Sequence, residues 1–284
     1  MSTVLAFGEV LWDVYPDEKY MGGAPLNFAA HFVKQGGRAY LASALGDDAL
    51  GHEALQKVLD WGIDADYLPL LSDKETGLCI VRVDEKGIPT YNLLNDVAYD
   101  SIDCGIRGME FDALYFGTLA LRGDFNLEKV RSLLQNNNFH EVYVDVNVRP
   151  PFFSKERLLF ALENATILKI SDEELPVLAE TLFRAECGFA EAALQISSMY
   201  RQLKLILITR AEKGSYLYDC EHRAEYFSDA VKTRVVSTVG AGDSFSAAFL
   251  YHYLSGAEPD ACLRAASRLS AFVVSKPDAV PEYE

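Results

Sequence analysis

Residues 236–247 read VSTVGAGDSFSA, and the fold turns on their order: Gly240, Ala241 and Gly242, then one acid, Asp243, then the start of an apolar helical pattern. A plain turn does not require that order. Small residues let the backbone curl so that successive N–H groups point at one spot, at the positive end of the following helix, and such a spot takes an anion. Asp243, in the first turn of that helix, stands where it can accept a proton from an attacking hydroxyl. An anion hole beside a base is the minimum for phosphoryl transfer to an alcohol. The plainer alternative is a glycine-rich turn with Asp243 stabilising a helix start.

Outward from this stretch, strand-like and helical patterns alternate. VLAFG precedes a helical pattern from Pro25 to Gln35, and AYLASAL precedes another from Ala49 to Trp61. The apolar runs ALYFG, VYVDV, TILKI and LILIT follow, with helical patterns at Asn126 to Gln135, Ser154 to Asn164 and Asp172 to Met199. Two more helices are expected, from Ser244 to Leu254 and from Pro259 to Ser275. Alternation of this kind predicts an α/β chain with a mostly parallel sheet covered on both faces. TGLCIVRVDEKGIPTYNLLN, from Thr76 to Asn95, breaks the rhythm. Its two apolar-rich strands, joined across Asp84, Glu85, Lys86 and Gly87, read as a β-hairpin that projects as a lid.

Composition narrows the function. The 284-residue chain, half of it hydrophobic, carries a formal net charge of −16 and no basic stripe, which argues against nucleic acid or a membrane surface as partner. The start, MSTVLAFGEVLWDV, has acids at Glu9 and Asp13 and no basic residue before Lys19, so it reads as a first strand rather than a signal peptide. Five dispersed cysteines without a CxxC pair fit reduced thiols and a cytoplasmic location. No GxxxxGK followed by Ser or Thr occurs, and no GxGxxG follows the first strand, so a P-loop is excluded and a nicotinamide site is disfavoured.

In a wound sheet, ligands bind at the carboxyl ends of the strands. Polar residues recur there: Glu9 and Asp13, Asp145 with Asn147 and Arg149, Lys169 with Glu174, and Thr209 with Arg210. Each alone is readily a cap or a surface residue. Gly22 and Gly23 read as a turn, with Asn27 as a helix cap on the plain reading.

TVGAGDSF resembles the C-terminal signature of the ribokinase-like (PfkB) carbohydrate kinase family, and GGAPLNFAAHFVKQGGRAYLASALGDDALG resembles its N-terminal signature. FDALYFGTLALRG, VYVDVNVRPPFF, ATILKISDEELPVL and LITRAEKGSYLYD fall between them in the family's order, so the likeness spans nearly the whole chain. The DxNxR and KxSxEE blocks look most like the fructokinase branch. The resemblance implies a three-layer α/β/α sandwich as one domain over 1–284, with a small β-lid from about 12–22 and 76–97. It also implies an ATP- and Mg2+-dependent kinase that phosphorylates a sugar's primary hydroxyl.

On that resemblance Asp243 is the base, the N–H groups of Gly240, Ala241 and Gly242 form the anion hole, and Arg149 faces the phosphates. Glu174 organises Mg2+ through water, while Lys169, Ser171, Thr209, Arg210 and Gly214 line the nucleotide side. Asp13, Gly23 and Asn27 bind sugar hydroxyls, with Asp145 and Asn147 nearby. Family lids often pair with a second subunit, so a homodimer through the lid is expected. The alternatives are 2-keto-3-deoxygluconate, ribose or a nucleoside as acceptor, or a sugar-binding regulator without catalysis.

Four departures stand out, one of them Arg210-Ala211, where a Leu-Gly pair is usual after the nucleotide-side Thr. Ser237 replaces the Asp that usually opens the GAGD block, and Asp278 replaces a Gly of the same cation loop, which together weaken a monovalent-cation site. An FYR sequence of the lid region becomes Leu93, Leu94 and Asn95, removing a bidentate cation from the substrate side. The stretch from Glu9 to Gly22 is short, so a reduced first lid strand is expected.

Overall fold

Apolar runs with every side chain buried cannot sit on a sheet open to water, and here they become neighbours. The computed structural model describes residues 1–83 and 89–283. The chain starts with β1 (Thr3–Phe7), β2 (Leu11–Val14), β3 (Lys19–Gly22), α1 (Ala24–Lys34) and β4 (Arg38–Ala42). Then come β5 (Leu45–Gly46), α2 (Ala49–Asp60), β6 (Leu70–Leu71), β7 (Gly77–Val83) and β8 (Pro89–Leu93). The middle holds β9 (Glu110–Gly117), α3 (Asp124–Asn136), β10 (Asn138–Asp145), α4 (Lys155–Asn164) and β11 (Ile167–Ser171). Last come α5 (Leu175–Phe183), α6 (Phe189–Met199), β12 (Leu205–Thr209), β13 (Ser215–Asp219), β14 (Ala224–Ser228), α7 (Ala241–Leu254) and α8 (Pro259–Val274).

The main sheet runs β14-β13-β12-β11-β10-β9-β1-β4, parallel from β4 to β12 and antiparallel at β13 and β14. One face packs Tyr115, Tyr143 and Leu207 against Phe28 and Phe32 of α1, Phe249 of α7 and Leu263 of α8. The other packs Leu114, Val144 and Ile206 against Val130 of α3, Leu158 of α4, Leu178 of α5 and Ile196 of α6. This is the expected three-layer sandwich. Because β1 lies between β4 and β9, the strand order reverses there and a crevice opens at the carboxyl ends of those strands.

The region expected to form a lid is a separate four-stranded sheet, β3-β2-β7-β8. In its first part β2 and β3 are short, pairing antiparallel over four residues each, and β2 runs parallel to β7. The turn expected across Asp84 to Gly87 lies outside the described residues. One face of the lid covers its own small core of Leu11, Cys79, Val81, Val97 and Tyr99, and the sheet also exposes Tyr20 and Tyr91.

Two boundaries differ from the pattern. The segment from Asp172 to Met199 is two helices, because Arg184 closes α5 in the left-handed conformation (φ 55°) and Gly188 opens α6. α7 starts at Ala241 rather than Ser244, since Gly240 (φ 79°) supplies a helix cap that no periodicity reveals.

Candidate active site

The head of α7 admits only glycine at its cap. A Cβ on Gly240 would lie 2.7 Å from Ala279 O and 2.9 Å from Ala279 Cα, on top of a positive φ. The first backbone bond of the helix runs from Ser244 N to Gly240 O, 2.9 Å, so the N–H groups of Gly242 and Asp243 precede the ladder. Of the three donors expected in the anion hole, Ala241 is already engaged: its N–H donates to Thr238 O over 3.3 Å. A Cβ on Gly242 would come 3.1 Å from Lys169 Nζ, which puts an ammonium beside the hole.

Asp243 meets α1 there. Asn27 Nδ2 donates to Asp243 Oδ2 over 2.8 Å. The helix cap is Gly23 (φ 121°), not Asn27, which lies within α1 and is 3% exposed. Gly23 cannot carry a side chain, because a Cβ would fall 2.2 Å from Glu9 O. Burial pushes the Asp243 carboxyl up to about 6; the Asn27 bond opposes this, the charge of Asp145 adds to it, and Lys169 and Arg149 pull it back. A carboxyl so placed takes a proton from an alcohol near neutral pH.

Asp145 does not face an open sugar site. It is 2% exposed, paired with Lys169 Nζ at 2.9 Å, and accepts from Ser246 Oγ at 3.3 Å. Burial alone would push Lys169 down, but the charges of Asp145 and Glu174 hold its ammonium above the usual range. The pair keeps a positive charge beside Gly242 at the head of α7.

Glu174 is spent on backbone. Its two oxygens accept from Val148 N (2.6 Å) and Ser171 N (2.8 Å), which ties the end of β11 to the loop bearing Asn147 (φ 47°) and Arg149. Arg149 is exposed, forms no ion pair among the described residues, and its charge reaches Glu9, Asp13 and Asp243. Arg210 is drawn aside: its guanidinium stacks 4.1 Å over the Phe189 ring. Thr209 ends β12, and Gly214 (φ 86°) closes the following turn, where a Cβ would meet Ser228 O at 2.1 Å.

On the lid side, Asp13 of β2 stands opposite Cys79 of β7, and burial raises its carboxyl against the pull of Cys79 and Arg149. Asn95 lies exposed beyond β8, with no hydrogen bond to the other expected site residues. The sequence reading gave no role to Glu9, which is 2% exposed and has Oε1 accepting from Ala24 N at 3.2 Å. Its signal was present, an acid directly after the first strand, but only the fold turns it inward. Among the described residues no group of three or more His, Cys, Asp or Glu is placed to hold a metal, and no described helix is long and apolar enough to cross a membrane.

The pfkB family carbohydrate kinase model matches residues 4–283. The chain belongs to that family and is an ATP-dependent carbohydrate kinase. Among relatives, "Probable fructokinase-4" of Arabidopsis thaliana is 27% identical over 318 residues, covering 99% of this chain and 93% of that protein. The 5-dehydro-2-deoxygluconokinase of Bacillus anthracis is 27% identical over 289 residues, 93% of this chain and 83% of that one. Two solved structures share the fold at TM-score 0.82 and 22% identity. They are aminoimidazole riboside kinase from Salmonella enterica with aminoimidazole riboside and an ATP analog, and fructokinase from Vibrio cholerae with fructose, ADP and calcium. They cover 98% and 99% of this chain, and it covers 95% of each.

Proposed function

We propose that the chain transfers the γ-phosphoryl group of ATP to the primary hydroxyl of a sugar, with a fructose-like acceptor. The observation that carries this reading is the 2.8 Å bond from Asn27 to Asp243, which seats the half-buried carboxyl at the glycine head of α7 against α1. Asp243 takes the hydroxyl proton, and Gly240, Gly242, Lys169 and Arg149 receive the charge that develops on the phosphoryl oxygens. Asp13, Gly23, Asn27 and Asn147 hold the acceptor, while Ser171, Thr209 and Gly214 border the nucleotide. Exposed Val235, Val236 and Val239, just before the anion hole, offer an apolar surface to a base.

Mg2+ fits as a passenger of the nucleotide. A cation that keeps most of its waters needs few protein ligands, and Glu174, its oxygens held by Val148 and Ser171, reaches it only through water. Bound there, the ion neutralises phosphate charge; the residues orient the chain around it.

A second acceptor class is favoured by one observation: Asn95 is exposed where a bidentate cation of this branch is expected, and a relative is a 5-dehydro-2-deoxygluconokinase. ATP consumption on a panel of ketoses, aldoses, keto-deoxy acids and nucleosides tests both readings. Turnover on a ketohexose is expected, with Asp243→Asn at least about a hundredfold slower. Inactivity of the wild type on the whole panel supports the non-catalytic sugar-binding alternative instead.

A further inference from the structure

Glu9, directly after β1, is buried within electrostatic reach of Asp243. Its Oε1 accepts from Ala24 N (3.2 Å), the first residue of α1, while its Oε2 is buried without a hydrogen-bond partner among the described residues. Its backbone carbonyl is what excludes a Cβ from Gly23. Gly23 O in turn accepts from Asn27 N at 2.9 Å, and Asn27 Nδ2 donates to Asp243. One short path therefore runs from Glu9 through the first turn of α1 to the base.

We propose that Glu9 is a positioning residue for Asp243: it seats the head of α1, and so Asn27, against the base, and it is a second proton-binding carboxyl of the same site. This rests on the kinase reading. Burial is the chief cause that pushes its carboxyl up to about 7, the bond from Ala24 opposes, and the charge of Asp243 adds. Other groups in electrostatic reach are Arg149 after β10, Tyr115 on β9, Arg122 just past β9, and Tyr99 beneath the lid. An uncompensated carboxylate opposes an incoming polyphosphate, so the form suited to an anion is the protonated one, with Asp243 still charged between pH about 6 and about 7.

Two variants separate the parts of this assignment. Glu9→Ala removes the acceptor for Ala24 N; Glu9→Gln keeps an acceptor and removes the charge. Glu9→Ala is expected to lose at least about tenfold in kcat/KM and Glu9→Gln to recover most of it. The ratio of Glu9→Gln to wild type should rise from pH 6.5 to pH 8.5, where the wild type ionises.

A readout independent of turnover is 13C NMR titration of the side-chain carboxyls. The Glu9 signal, identified by its loss in Glu9→Gln, should titrate near 7 and move to lower pH in Asp243→Asn. Kinetics of Glu9→Ala within twofold of wild type, or a Glu9 midpoint unmoved by Asp243→Asn, overturns the inference. Should Glu9→Ala fail to fold, the pH ratio of Glu9→Gln and the titration decide it. Should the wild type phosphorylate nothing, the kinase reading falls while the titration still reports the coupling.

Discussion

At the scale of single residues, the site is a balance of buried charges. Asp243, held near 6, is a carboxylate above that pH, so kcat/KM should fall as pH drops below about 6, with the limb absent from the residual rate of Asp243→Asn. Ser237 carries the second prediction at this scale. Its hydroxyl accepts from Val239 N at 3.3 Å, closing a local turn, and it has no charge to offer a cation. Asp278 is exposed. We therefore expect rates in KCl and NaCl at matched ionic strength to agree within about twofold, because no carboxylate at position 237 distinguishes the ions. A large potassium-specific activation would contradict that.

At the scale of elements, the cap of α7 is where local conformation and function coincide. Gly240→Ala would force a side chain into positive φ and against Ala279, which costs on the order of 1–3 kcal/mol and rotates the donors of the anion hole. Thermal melting should show the destabilisation, and nucleotide affinity should fall more than stability alone explains. The glycine-rich turn before a helix was legible in the sequence, but the cap at Gly240 was not, because the helix begins ahead of its apolar pattern and the contact that keeps residue 240 a glycine comes from Ala279. Nor was the division of the stretch from Asp172 to Met199. Its apolar spacing continues across Arg184, and only packing of α5 and α6 against the sheet reveals that the chain must turn there. Both segments of the expected lid were legible, but the way they pair was not, since β2 joins β7 across a gap that holds α1 and α2.

At the scale of the whole molecule, distant segments are locked to the site. His31, fully buried in α1, holds the C-terminal segment through Nδ1 to Tyr283 Oη (2.6 Å) and Nε2 to Ala279 O (2.8 Å), and Ala279 is the residue that presses on Gly240. Burial pushes His31 down to about 4 from its ordinary 6.5. The unfolded chain therefore binds a proton below 6.5 that the folded one refuses until about 4. Its stability contribution is complete above 6.5 and is lost as pH falls toward 4, by roughly 3 kcal/mol in all. Denaturation midpoints from pH 7 to pH 4 should follow that slope, and His31→Gln should flatten it.

The lid bears the other prediction at this scale. Tyr91 on its edge strand β8 is 56% exposed, and Tyr20 on its other edge strand, β3, is also exposed; we infer that a second copy covers part of this sheet. Sedimentation should find a dimer that Tyr91→Asp converts to monomer. A wild-type monomer would end that idea.

What the amino-acid order determined by itself was local: the alternation that makes a parallel sheet, the hairpin, and the Gly-Ala-Gly-Asp head of α7. These follow from backbone freedom and periodicity, which act over a few residues. What only the tertiary structure decided was partnership. Asn27 and Asp243 are 216 residues apart, and their bond exists because α1 and α7 pack on the same face of the sheet. The same packing withdrew Asp145 into an ion pair, spent Glu174 on backbone donors, turned Arg210 onto Phe189 and brought Glu9 to the base. Burial and electrostatic coupling belong to the space between elements, and no spacing along the chain records them.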